Sequence, residues 1–487
     1  MGASSIVTIV LSILRMKLLA VLLGPAGIGL FGLYNLVADL AASIAGMGVQ
    51  ASGVRQVAAA VASGDEAKSA RTITVLKWVS LALAIIGGGL VAAAAVPIAN
   101  LTFGTSVEAP AIVLVGVAVT LRLAAAAPTA LIQGSRRIAD LAWMAVLGAV
   151  LNTATAVPLV YFLGRDGIVP SLIAVALTSL LAALWYSRKI ATPRVRLTGR
   201  EWLDAGGQLF RLGFAFMMSA LLTFGSAYLI RIFILQLSSV EAAGFYQAAW
   251  AIGGLYAGFI LQAMGTDFYP RLTGVAHDNS ECNRLVNEQA QVSILLAGPG
   301  VVATMTLAPL VMTLFYSAEF AEAVPLLRWI CVGMLLRIVA WPMGFIVLAK
   351  SAQWTFFWTE IAAAVVQVGL AWVLLRTVGV VGAGIAFFGL YVWHGLIIYV
   401  LVRRLSGFRW SQENLKAALV FLATTGVAFP AVSLLPFWPA TIIGAAATCA
   451  AGLYSIVQLA PLLPEQWVPL HLRRWLIRSP ASGTMQG

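Results

Sequence analysis

Residues 167–187 read GIVPSLIAVALTSLLAALWYS, and this run of 21 residues contains no charged side chain. A helix of about 20 apolar residues is long enough to cross the hydrocarbon core of a bilayer. The run is followed at once by Arg188 and Lys189. Basic residues at the end of an apolar helix are typical of the cytoplasmic side of a membrane. The stretch therefore predicts a spanning helix that ends in the cytoplasm.

The composition of the whole chain is that of a membrane protein. Of its 487 residues, 61% are hydrophobic and 10% are charged, whereas a soluble globular protein has about 25% charged residues. So few charges cannot cover a water-facing surface, which excludes a soluble enzyme, a coiled coil and a disordered protein. The remaining class is an all-α polytopic membrane protein.

Apolar stretches recur along the chain, and they predict a bundle of fourteen transmembrane helices. Several stretches are longer than one span needs, which is typical of tilted or extended helices. The second stretch is also consistent with a helix followed by an amphipathic turn. The predicted spans are 3–23, 27–60, 72–99, 109–134, 139–163, 167–190, 207–236, 240–270, 286–316, 320–349, 352–377, 381–403, 414–435 and 439–461.

The charges of the connecting loops alternate along the chain. Arginine and lysine concentrate after the even-numbered stretches, as at Arg136 and Arg137, whereas Glu108 and Glu241 occupy the opposite loops. The positive-inside rule places the basic loops in the cytoplasm. It predicts that both termini are cytoplasmic, and it accounts for most of the net charge of +12. We therefore expect no nucleic-acid partner.

A weak internal repeat divides the chain into two halves. Residues 26–31 open the second stretch as residues 241–246 open the eighth. Repeats of this kind mark the two lobes of a transporter, with the substrate site between them. We predict two pseudo-symmetric six-helix lobes and a C-terminal helix pair. The predicted divisions are an N-lobe at 1–190, a cytoplasmic linker with a short interfacial helix at 191–206, a C-lobe at 207–404, the extra pair at 405–462 and a cytoplasmic tail at 463–487.

Motifs for catalysis or for ATP-driven transport are absent from the sequence. It contains no GxxxxGK[ST] motif, no paired carboxylates and no nucleophile constellation. Cys282, Cys331 and Cys449 are too scattered for a metal site or a disulfide framework. We expect a transporter rather than an enzyme, with no cofactor and no metal, driven by H⁺ or Na⁺ coupling, membrane potential or substrate supply.

Ionisable residues inside apolar stretches are the main candidates for function. A charge near the bilayer centre costs about 2.5–3.5 kcal/mol on insertion scales, so such residues normally face an interior or a water-filled cavity. Five are basic and two are acidic, which predicts a cationic cavity for an anionic substrate such as a phosphate. An alternative for Arg122 and Arg231 is that they snorkel to the membrane surface. The seven residues are Arg15, Lys17, Asp39, Arg122, Arg231, Arg337 and Glu360.

The second stretch carries a polar face. Asn35, Asp39, Ser43, Gly46 and Gln50 lie within about 80° of one another on a helix. This face forms either a cavity wall or interhelical hydrogen bonds. Asn35 and Gln50 are therefore candidate substrate ligands. Asp39 is a candidate for pairing with a cation of the first helix, or for H⁺ or Na⁺ coupling.

Two ring-bearing residues have open interpretations. Trp341 follows Arg337 by one helical turn and either belongs to an interfacial aromatic belt or stacks on a sugar. His394 lies in the twelfth stretch, where its side chain either packs and hydrogen-bonds with neighbouring helices or relays protons.

Two blocks of sequence carry motifs that can be compared with known families. The first is KLLAV at 17–21 with LGPAGIGL at 23–30. The second covers about 324–403, and it includes Leu327–Trp329, Val332, Gly333, Arg337, Trp341, Val347–Lys350, Glu360 and Gly382–Ala386. Together they resemble the lipid III flippase/O-antigen translocase family. Lys17, Arg337, Lys350 and Glu360 match positions of that family, and the position of Arg337 is usually Lys in relatives. Met334 stands where the family has an acidic residue.

The resemblance implies a function. The family belongs to the multidrug/oligosaccharidyl-lipid/polysaccharide exporter superfamily, whose V-shaped, two-lobed flippases move undecaprenyl-pyrophosphate-linked oligosaccharides from the cytoplasmic to the periplasmic leaflet. The resemblance therefore implies a bacterial inner-membrane protein that takes part in surface polysaccharide assembly. Its expected partners are membrane lipids and a polysaccharide polymerase. Arg15, Lys17, Arg337, Arg122 and Arg231 would bind the pyrophosphate.

Two other classes are weighed against the flippase. A cation-coupled multidrug antiporter of the same superfamily needs an acidic cavity, which the basic balance disfavours. A membrane enzyme that processes glycans should have a large periplasmic loop with catalytic residues, and the sequence has none.

Overall fold

The computed structural model describes residues 2–190, 195, 197–264 and 268–462, and every regular element in these ranges is a helix. The predicted all-α class is confirmed. The α-helices of the described ranges, in chain order, are α1 Gly2–Ala45, α2 Val49–Ala62, α3 Glu66–Ala93, α4 Ala95–Phe103, α5 Ala109–Ala124, α6 Ala126–Gly134, α7 Ile138–Leu163, α8 Ile168–Ser187, α9 Gly199–Leu237, α10 Val240–Ala263, α11 Tyr269–Gly274, α12 Asn279–Thr306, α13 Ala308–Phe315, α14 Val324–Ala349, α15 Gln353–Val378, α16 Val381–Ser406, α17 Gln412–Leu434 and α18 Phe437–Leu459.

The helices confirm a multi-pass membrane protein. In the described ranges, ten helical segments are long and apolar enough to cross a bilayer, and α12 with α13 forms an eleventh if their bend of 86° lies within one span. Two of the ten, Ser4–Ala45 and Ile138–Ser187, each cover two of the predicted spans. The number fourteen stays a prediction, as do the two lobes.

The first two predicted spans are one helical run with a break inside it. Gly24 has φ 63° and ψ −174°, and Pro25 follows it. The positive φ favours glycine, and a Cβ at Gly24 would lie 3.1 Å from a carboxylate oxygen of Glu319. Pro25 cannot donate a backbone hydrogen bond across the break. This pair lets α1 bend without a loop, at the place where the two predicted spans divide.

The second predicted span ends earlier than expected. Helix α1 stops at Ala45, and Gly48 with φ 65° precedes α2. A Cβ at Gly48 would lie 2.0 Å from the carbonyl oxygen of Gly213, so this turn requires glycine. Gln50 therefore lies on α2 and is exposed. The prediction that Gln50 shares a helix face with Asp39 was wrong, because the helix is interrupted between the two residues.

Helix α9 begins at Gly199, eight residues before the predicted span. Thr198 and Glu201 form a capping box. The side chain of Thr198 accepts a hydrogen bond from the backbone N–H of Glu201, and the side chain of Glu201 accepts one from the backbone N–H of Thr198. Trp202 and Leu197 pack on a buried cluster that includes Val57, Leu76 and Leu209. The second half of the predicted linker is thus the start of a long helix, while most of 191–196 lies outside the described residues.

The described residues fall into two units. Unit 1 contains the described residues of the ranges Met1–Ala248, Met312–Ala321 and Ala371–Val380. Unit 2 contains the described residues of the ranges Ala249–Val311, Glu322–Leu370 and Val381–Gly487. Helix α9 therefore groups with the first eight helices. The predicted lobe limits at 190, 207 and 404 stay predictions, and the predicted tail at 463–487 lies outside the described residues.

Unit 2 holds the C-terminal helix pair against α12. The side chains of Asn283 and Asn287 bind the segment between α16 and α17: Asn283 donates to the carbonyl of Ser406 at 2.8 Å, and Asn287 donates to that of Arg409 at 3.0 Å. Asn414 donates to the carbonyl of Asn287 at 2.9 Å. Hydrogen bonds between polar side chains and backbone therefore fix the start of α17.

Candidate functional site

Unit 1 contains a closed polar network between α1 and α5. Arg122 donates from Nη1 to Asp39 at 2.5 Å and from Nη2 to the side-chain oxygen of Asn35 at 2.7 Å. Asn35 donates to the second carboxylate oxygen of Asp39 at 2.9 Å. These contacts balance the charge of Arg122 with that of Asp39 and use one donor of each terminal nitrogen of its guanidinium. Interhelical hydrogen bonding, one of the two interpretations of this face, is therefore what Asn35 and Asp39 do in this structure.

The expected pairing of Asp39 with a cation of the first helix was wrong. Its partner is Arg122, which is 83 positions away in the sequence. The expectation named the cations of the first helix, which are Arg15 and Lys17. It failed because α5 packs directly on the face of α1 that carries Asp39.

Arg231 on α9 is the most buried of the candidate cations, with 7% of its surface exposed. It donates to the side chain of Gln247 at 2.7 Å and to the carbonyl of Ala227 at 3.3 Å, and it lies 5.3 Å from the ring centroid of Tyr246. It also interacts electrostatically with Asp39. The snorkelling alternative was wrong for Arg231, because neighbouring side chains of unit 1 enclose it.

The two cations of the first half of α1 have different environments. Lys17 donates to the carbonyl of Thr313 at 2.7 Å, near the C-terminal end of α13, where a positive charge is favourable. Arg15 is half-buried, and its Nε is shielded and has no hydrogen-bond partner in the described part of the chain. Lys17 is therefore bound to backbone in this structure, and Arg15 retains an unused donor.

Unit 2 holds Arg337 in a different way. Its guanidinium carbon lies 4.5 Å from the ring centroid of Trp341 and 5.8 Å from that of Tyr391. Its Nε is buried and has no hydrogen-bond partner among the described residues. Met334, one turn earlier, is 1% exposed and apolar, so the acidic neighbour that the family carries there is absent.

Glu360 and His394 complete the surroundings of Arg337. Both interact with it electrostatically, but the ion pairs of the described ranges include neither Arg337 nor Glu360. His394 is 9% exposed and meets Tyr391 edge to face at 5.7 Å between centroids. His394 thus packs on the aromatic residue that also faces Arg337.

The structure brings some predicted residues together and leaves others apart. Asn35, Asp39 and Arg122 form one cluster, and Arg337 shares a second with Glu360. Gln50 is exposed on α2 and joins neither. Lys350 binds the carbonyl of Ala276 and the side chain of Asn279, so it holds the turn before α12.

Sequence reasoning missed several partners. Thr313 and Tyr391 are distant in sequence from the cations they contact, and Gln247 lies on the helix that follows the one with Arg231. No local signal in the sequence indicates any of these three contacts. The stacking of Trp341 on Arg337 was readable, because residues i and i+4 of a helix lie side by side. In the described ranges, no group of three His, Cys, Asp or Glu residues is placed to hold a metal ion.

A family model described as polysaccharide biosynthesis protein matches residues 18–325. The chain belongs to this family. The match includes Asn35, Asp39, Gln50, Arg122 and Arg231. The other candidates lie outside it: Arg15, Lys17, Arg337 and Glu360.

Relatives and solved structures agree with this family. The chain is 24% identical over 407 residues to the lipid III flippase of Escherichia coli (strain K12), which covers 80% of this chain and 94% of the relative. The same figures hold for the lipid III flippase of Shigella flexneri. The predicted resemblance is thereby confirmed, and these relatives are flippases rather than enzymes.

Two solved structures show the fold. The lipid II flippase MurJ, in an inward closed conformation, superposes with a TM-score of 0.67 at 16% identity, covering 95% of this chain and 99% of that one. An inward-facing multidrug resistance MATE family transporter of the MOP superfamily also gives 0.67, at 20% identity, covering 82% and 94%. The fold is therefore the one shared by flippases and drug transporters of this superfamily.

Proposed function

We propose that this protein is a flippase for lipid-linked oligosaccharides. The observation that carries the proposal is Arg337, an intramembrane cation that forms no ion pair within the described residues and whose Nε is unused. An unpaired guanidinium inside a membrane protein suits a phosphate, because its planar fork can donate two parallel hydrogen bonds. The likeness to lipid III flippases supports the same substrate class.

The proposed substrate is an undecaprenyl-pyrophosphate-linked oligosaccharide repeat unit. It crosses from the cytoplasmic to the periplasmic leaflet of a bacterial inner membrane, for O-antigen, lipopolysaccharide or related surface polysaccharide assembly. Arg337 and Arg15 are the first proposed ligands of the pyrophosphate, followed by Lys17. Arg122 and Arg231 contribute only if their present partners release them, and Asn35 and Gln50 are the remaining candidates.

The proposed mechanism is alternating access through a cationic central cavity. Fourteen spans in two six-helix lobes and a C-terminal pair, with both termini cytoplasmic, fit this mechanism and the loop charges. An inside-negative potential favours outward movement of the anionic headgroup, since one charge moved through 100 mV gains about 2.3 kcal/mol. H⁺ or Na⁺ coupling would act through Asp39 or Glu360, and a polysaccharide polymerase is the proposed consumer of the product.

A multidrug antiporter is the second candidate, because the fold is also that of a MATE family transporter. Such a protein needs a free carboxylate for a cationic drug. Asp39 is bound to Arg122 and Asn35, and Glu360 lies in the electrostatic field of Arg337, so a cation accompanies each of these two carboxylates. The charge environment therefore favours the flippase.

Deletion of the gene separates the two candidates. A strain without the flippase should lose surface polysaccharide and accumulate the lipid-linked oligosaccharide, which mass spectrometry of the lipid extract identifies. Its sensitivity to cationic drugs should be unchanged. Increased drug sensitivity with normal surface polysaccharide would instead establish the antiporter and reject the flippase.

A further inference from the structure

The surroundings of Arg337 form an aromatic cradle, which we define as Trp341 and Tyr391. Trp341 lies one turn after Arg337 on α14, and Tyr391 comes from α16, which packs along α14 in unit 2. Phe387 and His394 lie on the same side of α16 and contact the ring of Tyr391 at 5.0 and 5.7 Å. The cradle is therefore supported from behind by a row of rings.

Both distances to Arg337 fall within the range of a cation–π interaction, which extends to about 6 Å from the ring centroid. A ring face attracts the guanidinium without accepting its in-plane N–H groups. Arg337 also makes a hydrogen bond to the side chain of Tyr391, and its remaining donors are available to a ligand in that plane. At Arg122, by contrast, a carboxylate and an amide oxygen occupy two of the donors and the carboxylate balances the charge.

We propose that Trp341 and Tyr391 are positioning residues that hold the guanidinium of Arg337 ready for bidentate binding of a diphosphate. This inference rests on the proposed function and names the part of the substrate that Arg337 recognises. One face of Trp341 is covered by Arg337, so its role is to orient the cation rather than to offer that face to a sugar. Holding the planar fork before the ligand arrives lowers the entropy cost of binding.

The first test measures binding to the purified full-length protein in detergent micelles, with undecaprenyl pyrophosphate and undecaprenyl monophosphate as probes. Trp341→Ala should weaken binding of the diphosphate about tenfold, the size expected for losing a partly desolvated cation–π contact. Binding of the monophosphate should fall by a similar factor, because a single phosphate also accepts two parallel hydrogen bonds from the fork. Trp341→Phe keeps a ring face and should bind the diphosphate within about threefold of the native protein.

The chain offers a matched control. Arg376 stacks on Trp372 at 3.8 Å in unit 1, and Arg376 is exposed near the end of α15. Trp372→Phe removes the indole there as Trp341→Phe does in the cradle, and Arg376→Ala removes the exposed cation. Neither should change binding of either probe. Size-exclusion profiles and melting temperatures of all variants identify any that fail to fold.

Three outcomes distinguish the claims. Loss of diphosphate binding in Trp341→Ala that Trp341→Phe does not restore would show a merely structural role and overturn the cradle. Native binding by Trp341→Ala together with loss in Arg337→Ala would also overturn it, while leaving the flippase proposal intact. Native diphosphate binding by Arg337→Ala would reject Arg337 as the ligand, and with it both the cradle and the site assignment.

Discussion

Arg122 and Arg337 are both arginines inside apolar helices, yet their surroundings differ. Arg122 in unit 1 is paired with Asp39 and Asn35. Arg337 in unit 2 faces two aromatic rings and keeps an unused donor. A paired arginine holds helices together, whereas an arginine held by ring faces keeps its charge for a ligand. Counting intramembrane cations therefore overestimates the number that can bind substrate.

The largest expected effect comes from removing Arg337. Arg337→Ala should lower export of surface polysaccharide at least about tenfold, because one hydrogen-bonded charge contact is worth about 1.5–3 kcal/mol. The amount of protein in the membrane, measured by immunoblot, should be unchanged. The comparison variant is Arg376→Ala, which should export normally. Equal export by Arg337→Ala and Arg376→Ala would mean that Arg337 does not bind the substrate, and its contrast with Arg122 would then have no functional meaning.

Separation of Asp39 from Arg122 should reduce stability next. Asp39→Asn and Arg122→Gln each leave a charged or polar group of the network without its partner, while the double variant removes both charges. Their coupling in a double-mutant cycle should be about 1–3 kcal/mol, since the side chains are only 31% and 23% exposed. Thermal or denaturant unfolding in detergent measures it. If the two single effects simply add in the double variant, Asp39 and Arg122 are not coupled, and their ion pair does not stabilise the fold.

Gln247→Leu should destabilise unit 1 by about 1–3 kcal/mol, because it leaves a buried N–H of Arg231 without an acceptor. Gln50→Leu is its control, since Gln50 is exposed and surface substitutions change stability by about 0.5 kcal/mol or less. A comparison of the two unfolding curves checks the prediction. The same shift in both would show that Gln247 does not bind Arg231 in the membrane.

The smallest of the four effects is expected at Lys17. Lys17→Met loses one hydrogen bond to the carbonyl of Thr313, which is worth about 0.5–1.5 kcal/mol. Lys17→Arg keeps a donor of similar reach and should restore the melting temperature. A Met variant as stable as the native protein would mean that the lysine is available to a ligand, as Arg337 is.

The sequence was sufficient for the class of fold, because a spanning helix needs a long apolar run and little else. It was not sufficient for the limits of the helices. The predicted spans do divide at 24–26, where Gly24 and Pro25 bend α1, but α1 ends at Ala45 rather than at 60, and the capping box at Thr198 starts α9 inside a segment that otherwise resembles a linker. Local backbone geometry, rather than hydropathy, decides these points.

The candidate site was predictable in its residues but not in its partners. Each intramembrane cation could be read from the sequence, since a charge in an apolar run is conspicuous. The partner of Arg122 comes from a helix far away in the chain, and so does Tyr391 for Arg337. Only Trp341 was within reach of sequence reasoning, because it lies one helical turn from the arginine that it supports.

The central claim is that Arg337 carries a lipid-linked diphosphate across the membrane while Arg122 serves structure. The most direct measurement is translocation of a fluorescent undecaprenyl-pyrophosphate-linked oligosaccharide in proteoliposomes, followed by quenching of the label exposed in the outer leaflet. In the absence of an ion gradient, where coupling through Asp39 is not required, the native protein and a charge-neutral Asp39→Asn/Arg122→Gln double variant should flip the lipid, and Arg337→Ala should not. Native-rate flipping by Arg337→Ala, with loss of flipping in the double variant, would contradict the claim.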